Sequence, residues 1–225
     1  MDLSSVYKLE LDTTGGLPGG EIYAWGGASL IGQRSIGVCG SRNASETGLE
    51  LAEALGTHAA ETGLVVVSGY ASGVDQRAHL GALLGGGATI AVLAEGMQHF
   101  DVRVALRSHV TNHNFLAVSA YSPDSRWTVG RAMQRNKLIL SLVDAMFVVE
   151  AGEKGGTLAA GMDALRRGKP LFVLQFKENR PSAAGNTVLI QKGASVIGSR
   201  RELKEALRRV LSGDLMATSP ARMLV

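Results

Sequence analysis

Six short apolar runs, rich in β-branched residues, recur along this chain: SIGVC (35–39), LVVVS (64–68), TIAVLA (89–94), FLAVSA (115–120), AMFVVEA (145–151) and PLFVL (170–174). None alternates polar with apolar residues. Successive side chains of a strand point to opposite faces, so a strand with one wet face must alternate, and a continuous apolar run is covered on both sides. Segments of helical period separate the runs. In 45–61, Leu51, Ala52, Leu55 and Ala59 form one stripe while Glu46, Glu50 and Glu53 lie off it. Residues 128–142, 157–167 and the amphipathic RRELKEALRRVL (200–211) have the same character. Doubly covered strands alternating with helices predict an α/β fold with a doubly wound, mostly parallel sheet, extended Rossmann-like, with helices on both faces. Such a sheet takes ligands beyond the carboxyl ends of its strands, near a topological switch point.

The alternation fills residues 21–212, read as one domain. Residues 1–20, running into TTGGLPGGE, read as an N-terminal arm, IYAWGG (22–27) as an added edge strand, and 213–225 as a flexible C-terminal tail. The single cysteine, Cys39, excludes an intrachain disulfide and a zinc site built on several cysteines, and its apolar setting marks a small buried residue rather than a nucleophile. The N-terminus lacks a basic region followed by an apolar core, and no apolar run approaches the ~18 residues of a membrane span, so a cytoplasmic location with no membrane contact is expected. The net charge of +3 permits an anionic partner without demanding one.

Glycine is in surplus, with 29 in 225 residues, and the surplus falls in loops after the apolar runs. In GVCGSRNASETG, Gly37 and Gly40 are three apart, which is not the G-x-G-x-x-G dinucleotide fingerprint and disfavours NAD. Gly40, Ser41 and Arg42 instead offer open backbone, a hydroxyl and a guanidinium to phosphate oxygens, and Asn43 or Ser45 can cap the next helix. In VVVSGYASGVDQRAHLGAL, Ser72-Gly73-Val74-Asp75 has capping-box spacing with Asp in the last place, and His79, four residues on, is expected to hydrogen-bond Asp75. Capping does not explain Ser68-Gly69 before it, where bare backbone suggests the approach of a ligand. In VVEAGEKGGTLAAG, Glu150 ends a strand, Gly155 and Gly156 bare the backbone, and Thr157 can cap a helix whose start accepts an anion. Between Asp124 and Asp144 there is no acidic residue but there are Arg126, Arg131, Arg135 and Lys137. Arg131 and Arg135 share a helix face, either a solvated basic surface or a grip on a phosphate backbone. Tyr70, Tyr121 and Trp127 adjoin these segments and are candidates to stack on bases.

Together, GVCGSRNASETG, VVSGYASGVDQRAHLGAL, QRNKLILSLVDAMFVVEAGEKGGTL and AAGNTVLIQKGASVI resemble, in order, the motifs of the DprA/Smf family (DNA processing protein A) over residues 20–200. The resemblance implies a Rossmann-like domain related to the LOG group, single-stranded DNA as partner, a homodimer, and help in loading a RecA-type recombinase during recombination and natural transformation. Position by position, Arg42 falls on the family's DNA-contacting arginine in its Gly-x-Arg loop. Ser68, Gly69, Gly73 and Asp75 fall on the second motif, Arg135, Asn136 and Lys137 on the third, and Gly155, Gly156 and Thr157 on the loop after the acidic strand end. Ser72 stands where the family often has a basic residue, which removes one phosphate contact. The expected phosphate-binding set is therefore Gly40, Ser41, Arg42, Ser68, Gly69, Gly73, Arg131, Arg135, Asn136, Lys137, Gly155, Gly156 and Thr157, with Ser72, Asp75 and His79 structural. Two other readings use the same loops: a sensor of a small nucleotide, and a LOG-like nucleotide N-glycosidase. The second lacks its glutamate, because Ala160 stands in that place, so no catalytic residue, metal or cofactor is expected.

Overall fold

A computed structural model describes residues 5–11, 21–177 and 180–215. The strands are β1 (Tyr7–Glu10), β2 (Glu21–Gly26), β3 (Ser35–Cys39), β4 (Val65–Ser68), β5 (Thr89–Val92), β6 (Phe115–Ser119), β7 (Ala145–Val148), β8 (Leu171–Leu174) and β9 (Ser195–Ile197). The helices are α1 (Glu46–Thr62), α2 (Val74–Leu84), α3 (Val104–Arg107), α4 (Val129–Leu142), α5 (Gly156–Arg166), α6 (Ala184–Gln191) and α7 (Arg200–Ser212). One sheet has the order β1-β2-β6-β5-β4-β3-β7-β8-β9. From β6 to β9 all neighbours are parallel, while β2 joins β6 and β1 joins β2 antiparallel. The chain runs outward from β3 through β4 and β5 to β6, then crosses back to place β7 on the other side of β3. The switch point lies between β3 and β7.

The central parallel strands pack on both faces, which is why their sequences are mostly apolar, whereas the edge strand β9 adds only Ile197 to a core. Val65, Val67, Met146 and Val148 pack on one face with Leu138 and Ile139 of α4, Ala164 of α5 and Leu189 of α6. Val66, Phe147, Ile36 and Val38 pack on the other with Leu55 of α1, Ala78 of α2 and Leu207 of α7. A third cluster around Phe100, Phe115 and Leu106 closes the sheet beside β5 and β6.

Two expectations change. Part of the expected arm, residues 7–10, is β1, paired with β2 from Tyr7↔Ala24 to Glu10↔Glu21. Segment 22–27 is therefore a strand, but β1 covers it and it is not the edge. Residues 1–4 and 12–20 of the arm, and 216–225 of the tail, lie outside the described residues. Among the described residues, no helix is long and apolar enough to cross a membrane.

Candidate functional site

Because β3, β4 and β7 are parallel neighbours, the loops that leave their carboxyl ends meet at one edge of the sheet. They enclose a cleft of about 390 Å³ lined by Gly40, Ser41, Arg42, Asp75, Trp127, Met133, Arg135, Asn136, Lys154, Gly156, Thr157 and Ala160, among others. A second hollow of about 210 Å³ adjoins it and shares Arg42, Ala71, Trp127 and Arg135. A larger hollow of about 650 Å³ between α1 and α7 carries Glu50, Glu53 and Glu61 and none of the residues expected from the sequence.

Arg42 and Arg135 meet here in different states. Arg42 is exposed and lies over the Trp127 ring at 5.0 Å. Among the described residues it has no carboxylate within ion-pair distance, so its charge is free for an anion. Arg135 is 8% exposed, its Nη1 donates to the Val92 carbonyl at 2.9 Å, and its buried Nε has no partner among the described residues. Burial lowers its pKa, opposed chiefly by the charge of Asp75. Asp75 is itself buried and accepts from the Ala71 amide at 3.2 Å. Burial raises its pKa, with Arg135 the main opposing influence.

These contacts correct the reading of the second loop. A Cβ on Gly69 would lie 1.6 Å from Arg135 Nη1, so Gly69 is bare because the guanidinium rests on it. Ser68 has no exposure, and its hydroxyl donates to the Val38 carbonyl at 2.6 Å, tying β4 to β3 rather than facing the cleft. Ser72 does not cap α2: the N-cap is Gly73, with φ 77° and no side-chain cap. A Cβ there would lie 2.4 Å from the Ser41 carbonyl oxygen and 2.6 Å from that of Arg42, so Gly73 lets the second loop lie on the first. His79 does not pair with Asp75. Its Nδ1 is 2.6 Å from the Thr89 hydroxyl, which donates its own proton to the Val66 carbonyl, so Nδ1 must be the donor. Nε2 is then a buried acceptor without a partner among the described residues, and burial pushes the His79 pKa down to about 3.

In the first loop Ser45, not Asn43, caps α1 and accepts from the Gly48 amide at 3.1 Å. The Ser45 hydroxyl donates to Glu150 at 2.7 Å, and Glu150 is wholly buried, so this strand-end carboxylate is committed to holding two loops together. In the third loop Thr157 is the second residue of α5 and not its cap. Gly155, at φ 118°, is the N-cap and offers no side chain, which leaves the first amides of α5 open towards the cleft. Buried Asn186 holds this loop from below, accepting from the Ala151 amide and donating to the Val149 and Leu174 carbonyls, each at 2.8 Å.

The expected basic face of α4 divides. Asn136 lines the cleft with Arg135, but Arg131 and Lys137 line neither hollow. Arg131 donates to the Arg126 carbonyl and lies over the Tyr121 ring at 5.4 Å. Sequence reading missed Arg103, which lines the smaller hollow, lies over the Tyr70 ring at 4.9 Å and donates to the Tyr70 carbonyl at 2.7 Å. Tyr70 is the one non-glycine residue with positive φ (59°) among those described, a backbone feature that the sequence does not display. Cys39 is half-buried rather than fully buried as expected and lines the cleft; desolvation pushes its thiol pKa up to about 12, which favours the protonated form at neutral pH.

Fold and cleft together define a Rossmann-like protein with a cationic, glycine-lined hollow at its switch point, suited to a phosphate-bearing ligand. The chain belongs to the family described as DNA recombination-mediator protein A, whose sequence model matches residues 7–208. It is 33% identical over 193 residues to the DNA processing protein DprA of Bacillus subtilis, a match covering 84% of this chain and 65% of that one. It is 31% identical over 180 residues to the Streptococcus pneumoniae protein of the same name, covering 79% of this chain and 63% of that one. The chain thus spans less than two thirds of the length of these relatives. Among solved structures, DNA processing protein A from Helicobacter pylori, described for its single-stranded DNA binding mode, aligns with a TM-score of 0.77 at 26% identity, covering 90% of this chain and 95% of that one. A molybdenum cofactor binding protein from Rippkaea orientalis, at 23% identity and a TM-score of 0.59 over 80% of this chain and 98% of that one, shares the fold.

Proposed function

We propose that this chain binds single-stranded DNA at the edge formed by β3, β4 and β7 and acts as a recombination mediator. In this role it protects the strand, works as a cytoplasmic homodimer, and assists the loading of a RecA-type recombinase, as the family resemblance implies. The observation that carries the DNA-binding reading is Arg42, an exposed guanidinium stacked on Trp127 at the mouth shared by two hollows, opposite the uncapped start of α5. A stacked guanidinium offers charge to phosphate, an indole offers a face to any base, and helix-start amides accept phosphate oxygens, so the set suits a strand of any sequence. The single-stranded DNA binding of the Helicobacter pylori relative supports the same reading.

The N-glycosidase reading lacks a carboxylate at its expected position in the phosphate cleft. Ala160 occupies the position in the cleft, Glu150 is bound to Ser45, and Asp75 is buried beneath the Ala71 amide. A small-nucleotide sensor would use the same cleft, and its binding would not grow with ligand length. Fluorescence anisotropy with labelled dT oligomers of several lengths, competed with duplex, mononucleotide and NAD, decides between them. With about four phosphates neutralised, the logarithmic salt slope is about −2.8, and Arg42→Ala weakens binding to all sequences and flattens the slope by about 0.7. Length-independent affinity that Arg42→Ala leaves unchanged would refute the proposal. Sedimentation as a monomer at micromolar concentration would refute the homodimer.

A further inference from the structure

We propose that Met133 is a redox-sensitive modification site at the mouth of the phosphate cleft, and that its oxidation to the sulfoxide by a peroxide closes the anion position at the start of α5. This rests on the single-stranded DNA reading and adds a regulation to that site. Met133 lies on α4, is 41% exposed, and lines the cleft together with Gly156 and Thr157. A Cβ built on Gly156 would have one close neighbour, Met133 Sδ at 3.5 Å, so the thioether lies against the first residue of α5.

The other sulfurs do not share this setting. Met97 and Met146 are buried and Met162 is half-buried, so among the described residues Met133 is the one exposed methionine. Cys39, the other sulfur of the cleft, is held towards its protonated thiol by burial, whereas peroxides take the thiolate. With a thioether a peroxide needs only the sulfur lone pair. The sulfur attacks one peroxide oxygen, the O–O bond breaks as the S–O bond forms, and the departing hydroxide takes the transferred oxygen's proton and leaves as water. Sulfur gives up two electrons to the peroxide, and an apolar side chain becomes a polar one with an acceptor oxygen. The helix start beside it offers donors. Gly155, the N-cap of α5, has no side chain to engage the first amides, and those amides carry the positive end of the helix dipole. The sulfoxide oxygen caps them and stands where a phosphate oxygen would otherwise be taken. Reduction by methionine sulfoxide reductases reopens the position.

The test is anisotropy with labelled dT12 before and after treatment with hydrogen peroxide, the oxidised residues being located by peptide mass mapping. Oxidation of Met133 is expected to weaken binding about tenfold and to flatten the logarithmic salt slope by about 0.7, the loss of one phosphate contact. Treatment with the two methionine sulfoxide reductases, one for each sulfoxide epimer, restores both. In Met133→Leu, peroxide leaves the affinity where that variant started. Met133→Gln, which carries a carbonyl oxygen at that position, binds about tenfold more weakly than Met133→Leu without any peroxide. A peroxide effect that persists in Met133→Leu, a Met133 that stays unoxidised, a sulfoxide there that leaves binding unchanged, or equal affinity of the Gln and Leu variants overturns the redox role while leaving the DNA reading in place. Failure of the untreated protein to bind dT12 overturns the DNA reading itself, and this inference with it.

Discussion

Replacing Gly69 by alanine tests whether the bare backbone after β4 exists for Arg135. The added Cβ would lie 1.6 Å from Nη1 and 2.2 Å from Cζ of Arg135. Gly69 is not at positive φ, so alanine adopts its backbone without strain and the cost falls on the guanidinium. On a surface an arginine head would step aside at little cost. Arg135 is 8% exposed and tied to the Val92 carbonyl at 2.9 Å, so moving it breaks a buried hydrogen bond to a charged group, which contributes about 1.5–3 kcal/mol. Alanine also restricts the unfolded chain and returns about 0.4–1 kcal/mol. Gly69→Ala is therefore expected to destabilise by about 2 kcal/mol in urea denaturation. With Arg135→Ala already present the clash is gone, and the same change becomes neutral or stabilising by about 0.5 kcal/mol. The four proteins of this cycle then show a coupling of about 2–2.5 kcal/mol. Additivity within about 0.5 kcal/mol would refute the account, and Gly69 would need another reason for lacking a side chain.

Three further outcomes follow from the same contacts. Asn186→Ala leaves the Ala151 amide and the Val149 and Leu174 carbonyls without their buried partner and should lower stability by about 3 kcal/mol in urea denaturation; a loss under 1 kcal/mol would contradict it. Ser68→Ala removes one buried hydrogen bond, so it should cost about 1 kcal/mol and leave oligonucleotide affinity intact, whereas weaker binding would return Ser68 to the DNA contacts. His79, with its folded pKa of about 3 below the ordinary 6.5, takes up a proton in the unfolded chain first, so its contribution is fully present above pH 6.5 and is lost as pH falls towards 3. Stability should decline over that window by up to about 1.4 kcal/mol per pH unit more in the wild type than in His79→Phe, and parallel declines would refute the assignment.

The sheet was legible because burial on both faces writes itself into composition: Val65, Val66 and Val67 serve two cores in turn and leave no polar position between them. Strand β1 was not, since YKLE is four residues alternating inside and outside, too short a pattern to tell from a loop. The meeting of the first and third loops at one edge was legible from strand–helix alternation, which sends every loop after a parallel strand to the same side, while Arg135, inside α4, was expected there from the family motif. What each glycine accommodates was not. Gly69 admits Arg135 and Gly73 admits the carbonyls of Ser41 and Arg42, partners far away in sequence that only the folded chain brings near. The same distance hid the pairing of His79 with Thr89 on the next strand, where local spacing had suggested Asp75. Arg103 escaped notice because its value lies in being fixed by the Tyr70 carbonyl, a backbone group that leaves no mark in the sequence.

The two borders of the sheet are poor templates for another polypeptide. Strand β1 turns Lys8 and Glu10 outward at one border, and β9, at the other, has three residues before the chain turns into α7. A neighbouring molecule that tried to continue the ladder would meet charge on one side and a rung or two of hydrogen bonds on the other. Fibrillar growth by strand addition is thereby discouraged.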